Sequence, residues 1–137
     1  MKYFIVIVFL AFLSGCATTP VSIGNAHQVS NSELLTEKFS NETNKTASLV
    51  IKRDKGFMGS ACASRIYING IAFADLDTSE YAVANVPAGR HIISAQPNGI
   101  CAGGLSEIEA VLVSGEQRTY RVGMGTNGDY FIVPTAF

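Results

Sequence analysis

Arg65-Ile66-Tyr67-Ile68-Asn69-Gly70-Ile71-Ala72-Phe73 sets an Asn-Gly pair between two runs that alternate in character. Such a pair is the preferred centre of a two-residue type I′ turn, because both central residues need positive φ, which Asn and Gly tolerate best. The turn also predicts the register. A two-residue loop pairs Ile68 with Ile71 and Ile66 with Phe73, gathering four large apolar side chains on one face and leaving Arg65, Tyr67, Ala72 and Ala74 on the other. The first face is core. Counting back by twos from Ile66 brings Cys62 to the same inward parity.

The period of two continues on both sides. Upstream, Ser48 to Lys52 reads as a strand with Leu49 and Ile51 on one face, and Asp54 to Ala61 as a loop broken by Gly56 and Gly59. Downstream, Glu80 to Val86, Arg90 to Gln96, Leu105 to Val113, Gln117 to Met124 and Asp129 to Val133 read as strands. Turn chemistry separates them at Pro87-Ala88-Gly89, Pro97-Asn98-Gly99, Ser114-Gly115-Glu116 and 125–128. About seven or eight short strands in roughly 90 residues predict an all-β fold, an antiparallel β-sandwich over residues 47–137.

The chain before residue 47 reads differently. Ala17 to Thr46 is rich in Thr, Ser, Asn and Glu and poor in apolar runs, so residues 16–46 are expected to form a flexible tether. Within it, Ser30-Asn31-Ser32-Glu33 has capping-box spacing and Leu35 and Phe39 sit four apart, which predicts a short helix over about 31–39. Residues 1–15 have the parts of an export signal: Lys2, an apolar run from Tyr3 to Phe12, and small residues at Ser14 and Gly15. A retained membrane helix needs roughly 20 apolar residues, and Tyr3 to Leu13 supplies 11.

Leu13-Ser14-Gly15-Cys16 resembles the lipobox of bacterial lipoproteins. The resemblance implies that Cys16 receives a diacylglycerol, becomes the first mature residue and anchors the domain by its lipid. Ala17, rather than Asp, after the cysteine implies sorting to the outer membrane of a Gram-negative cell; of its two faces the periplasmic one is expected. Each buried methylene contributes about 0.8 kcal/mol, so two or three acyl chains hold the protein stably without a spanning helix. With Cys16 committed to lipid, Cys62 and Cys101 are the pair available for a disulfide in an oxidising compartment. Closing a loop of about 40 residues stabilises by roughly 4 kcal/mol on chain-entropy grounds.

A second resemblance spans roughly residues 47–124. Ile66-Tyr67-Ile68-Asn69-Gly70, then Tyr81-Ala82-Val83, then Val86-Pro87-Ala88-Gly89-Arg90-His91-Ile92-Ile93 resembles small envelope lipoproteins with an uncharacterised domain related to PEGA-type β-sandwich modules. That likeness implies an all-β envelope module without catalysis. The Cys62 and Cys101 pair is not part of the pattern.

Composition narrows the function classes. Ten Lys and Arg against eleven Asp and Glu leave no basic stripe for nucleic-acid phosphates, so the expected partners are the membrane, through the anchor, and an envelope protein or glycan. No cofactor is expected. A metal site would need tighter spacing than Cys62, Cys101, His27 and His91 show. His91 with Ser94 or Asp75 is the nearest approach to a catalytic set, but neither a nucleophile elbow nor an oxyanion hole accompanies it. Asp75-Leu76-Asp77-Thr78-Ser79 begins like a calcium loop, yet Glu80 stands where Gly is needed and Val86 where a bidentate Glu belongs. Asn98 to Gly104 lacks the Gly-Lys-Ser/Thr end of a phosphate loop and reads as slack around Cys101.

Three alternatives remain beside the binding module. One is a periplasmic inhibitor of a cell-wall hydrolase, another a small hydrolase, and the third an outer-membrane barrel ending in Phe137, which Pro134 and the lipobox oppose. Among the loops, Gly56-Phe57-Met58-Gly59 places two large apolar side chains between glycines. The bland expectation is that Phe57 and Met58 fold back to cap the sandwich; the sharper one is a partner-contact tip with Arg53 and Lys55 as its charged rim.

Overall fold

The computed structural model describes residues 17–101 and 103–137. Residues 1–15, read above as an export signal, and Cys16 lie outside the described residues. Those described form an all-β sandwich of nine strands: β1 (His27–Gln28), β2 (Thr46–Arg53), β3 (Ser64–Ile68), β4 (Ile71–Leu76), β5 (Glu80–Pro87), β6 (Gly89–Pro97), β7 (Ser106–Leu112), β8 (Gln117–Met124) and β9 (Tyr130–Pro134). Each strand expected from the alternation is present, with ends shifted by at most two residues at most positions, as local patterning permits.

One sheet runs β1-β5-β2-β8-β9 and the other β4-β3-β6-β7. The second sheet is antiparallel throughout, whereas the first is mixed, because β2 pairs parallel with β8 and β1 parallel with β5. The expectation of a wholly antiparallel sandwich is corrected there. The reason is topological: β2 and β8 are far apart in sequence, so no hairpin constrains their direction.

At the Asn-Gly turn, Asn69 and Gly70 both have positive φ, 50° and 77°, as a type I′ turn requires. Ile68 pairs with Ile71 as expected, but a β-bulge then places Ala74, not Phe73, opposite Ile66. The extra residue changes the parity of the rest of β4, so Phe73, Ala74 and Leu76 are all fully buried. Ala74 belongs to the core and not to the outer face. The same shift sets Asp75 opposite Arg65, which donates to it from Nε and Nη2 at 2.8 and 2.7 Å.

The core lies between the sheets. Leu49, Ile51, Ala82, Ala84, Val86, Tyr120 and Val122 face Ile66, Ile68, Phe73, Leu76, Ile93 and Leu112. Segment 17–46 has the little regular structure expected of a spacer, two three-residue 3-10 turns and the two-residue β1. It is nonetheless fastened to the body. Val29 and Phe39 are buried in the core, and the Phe39 ring meets Phe73 edge-on at 5.8 Å. The helix expected over about 31–39 is a single 3-10 turn, Asn31–Glu33, although Glu33 does reach back to the Ser30 N–H and hydroxyl. Drawing Phe39 into the core pulls the chain away from helical geometry, since so short a helix has little stability of its own.

Candidate functional site

The two ends of the sandwich differ. At one end, β2 and β8 finish together, and the disulfide Cys62–Cys101, with Cα atoms 6.1 Å apart, joins the loop after β2 to the loop after β6. Arg53 organises the first loop from inside. Its guanidinium donates to the carbonyls of Cys62, Leu76 and Gly59 at 2.6 to 2.9 Å. Arg53 is therefore buried and is not the charged rim expected of it; Lys55 is exposed.

Beside this loop the N-terminal strap crosses the outer face of the first sheet. The Thr18 N–H donates to Met124 O at 2.9 Å, its hydroxyl donates to Asp54 Oδ2 at 3.1 Å, and Thr19 exchanges two backbone hydrogen bonds with Lys55 at 2.8 and 3.0 Å. Asp54 is fully buried and accepts from Arg121 at 2.7 Å. Its other carboxylate oxygen has no partner among the described residues. Burial pushes the Asp54 carboxyl above the usual carboxylate range, opposed by Arg121 and Thr18. Lys52 is also fully buried, donating to the main-chain oxygens of Val21 and Phe137. Burial pulls its ammonium group down, and Asp54 partly restores it.

Alternation does not reveal this Lys52, Asp54 and Arg121 arrangement, because it marks Lys52 as solvent-facing and leaves Asp54 at the start of a loop. The strap and the C-terminal residue, both remote in sequence, cover Lys52 and Asp54, while the Phe131 ring lies against Arg121 at 4.9 Å.

Phe57 and Met58 part company. Phe57 is 88% exposed, so it does not cap the sandwich. Met58 is partly buried and lines a cavity of about 10 Å³ with Arg53, Cys62, Ser64, Cys101 and Tyr130. That volume holds a single water at most. The glycines on either side explain the split, since Gly59 has φ 71° and turns the chain back toward Met124 directly after the tip. A second exposed apolar residue, Ile100 at 99%, stands beside Cys101 on the other stapled loop.

The residues weighed for catalysis are not brought together. A carbonyl only accepts, so His91 Nε2–H donates to Pro87 O at 2.7 Å and Nδ1 accepts from the Asn69 amide at 2.9 Å. His91 thereby clamps the β3–β4 turn to the one-residue link between β5 and β6. Ser94 donates to Glu107 at 2.8 Å, and Asp75 is held by Arg65 and by Asn98. The calcium-like segment closes as a turn instead, with Glu80 accepting from the Asp77 N–H at 2.8 Å. The loop after β6 is tied at its start, through Asn98 N–H to Ala63 O at 2.7 Å. Among the described residues no three His, Cys, Asp or Glu side chains cluster as metal ligands would, and no helix is long and apolar enough to cross a membrane.

Fold and site together define a disulfide-stapled β-sandwich with two apolar loop tips beside the exit of its N-terminal strap. No protein-family model matches the chain, and no curated protein matches it either.

Proposed function

We propose that this chain is a lipid-anchored protein of the bacterial cell envelope, held at the outer membrane on its periplasmic side, whose β-sandwich serves as a binding or structural module. The observation that carries the reading is Leu13-Ser14-Gly15-Cys16 directly after Lys2 and the apolar run Tyr3 to Phe12. The Cys62–Cys101 bond supports it, because structural disulfides persist in oxidising compartments. The partner beyond the lipid is an envelope protein or glycan. No catalytic step is assigned, and the groups that could have served one each have another hydrogen-bonding role.

Labelled palmitate tests the anchor. Incorporation into the wild type and not into Cys16→Ser is expected, with the variant leaving the membrane fraction or remaining unprocessed. Equal labelling of the two would end the lipoprotein reading.

A further inference from the structure

We infer that the disulfide end of the sandwich rests on the lipid bilayer itself, with Phe57 and Ile100 inserted among the headgroups and upper acyl chains. The inference rests on acylation of Cys16. Its geometry starts from the antiparallel bridge between Thr19 and Lys55. In an antiparallel pair, moving from Thr19 toward Thr18 follows the direction in which Lys55 proceeds to Gly56. The structure bears this out, since a Cβ on Gly56 would lie 3.2 Å from Thr18 Cα. The chain toward Cys16 therefore leaves the sheet alongside the Phe57 loop.

Thr18 lies two positions after Cys16, a stretch that spans at most about 7 Å. Thr18 is fixed by its bonds to Met124 and Asp54, so the acyl chains emerge beside the Phe57 loop and not at the end of a long leash. An anchor that short brings the nearest loops to the membrane surface. Those loops carry Phe57, 88% exposed, and Ile100, 99% exposed, on two segments joined by the disulfide. Large apolar side chains at that depth gain what they would lose in water, as they do on interfacial helices.

Charge separates this surface from one that reads anionic lipid. The exposed ionic residues on the loops of this end include Lys55 against Asp77 and Asp129, so attraction to headgroups does not hold the domain down. Apolar insertion does. With β2 eight residues long, the opposite turns, Asn69-Gly70 and Ser114-Gly115, stand roughly 25 Å above the bilayer, where a periplasmic partner can reach them.

The chain has no tryptophan, so one introduced at a chosen position reports alone. Phe57→Trp, Ile100→Trp and, as the far-end reference, Val113→Trp each replace an exposed side chain. Each full-length acylated protein is reconstituted into phosphatidylethanolamine and phosphatidylglycerol vesicles, with and without brominated acyl chains. The expected result is blue-shifted emission and bromine quenching at positions 57 and 100, unaffected by added salt, and neither effect at 113. Acylated, vesicle-bound protein whose reporters at 57 and 100 stay water-like would overturn the docking and leave the anchor standing. A blue shift without bromine quenching would overturn it too, showing that a second copy or another protein covers the loops. Protein that carries no acyl chain would bring down anchor and docking together.

Discussion

Gly123 sits on the outer face of β8 with no room for a side chain. A Cβ there would lie 2.4 Å from both Asp54 Oδ2 and Thr18 Oγ1 and 2.8 Å from the Phe131 ring. Gly123→Ala must push the strap off the sheet or pull Asp54 from Arg121, and is expected to cost about 3 kcal/mol in urea denaturation. Asp54 itself gives a pH-dependent signature. Its folded pKa lies above the unfolded value of about 3.9, so the folded chain holds the proton more tightly. The contribution of this group is full below about pH 3.9 and declines as pH rises through the raised folded value. Asp54→Asn cannot titrate, so its stability deficit relative to the wild type should be largest near pH 3 and shrink toward about pH 7. A deficit that grows with pH would mean that the charge of Arg121 outweighs burial.

Among the elements, the β3–β4 hairpin shows how far local chemistry reaches. Asn-Gly specified the turn and the first pair, Ile68 with Ile71, because those depend on two backbone conformations. The bulge two pairs later was not legible. It satisfies packing demands from the opposite sheet and the Arg65–Asp75 pair, neither of which a residue-by-residue alternation contains. The segment before β2 is the converse case. Its polar composition implied little regular structure, yet composition averages away Val29 and Phe39, which both find places in the core. Phe39→Ala should therefore cost about 3 to 5 kcal/mol, as for a core aromatic. A free spacer would register no change in melting temperature, and that outcome would detach residues 17–46 from the fold.

The whole molecule is held by its sandwich core and by the staple at one end. Removing the staple through Cys62→Ser is expected to lose on the order of 2 to 4 kcal/mol, and exported wild type should resist thiol alkylation until reduced. Two reactive thiols in envelope material would contradict both. Strand positions, the hairpin and the pairing of Cys62 with Cys101 followed from the sequence itself, because alternation and turn preference are set by near neighbours and only two cysteines remained after Cys16. Which strands share a sheet, the parallel course of β2 beside β8, and the burial of Lys52 and Asp54 were decided by tertiary structure. The same holds for the candidate site: the sequence singled out the Phe57 loop, but its company with Ile100 and with the exit toward Cys16 is invisible there. A charged side chain on an alternating strand faces water unless something covers it, and here the cover comes from both termini, which the chain brings back only when it folds.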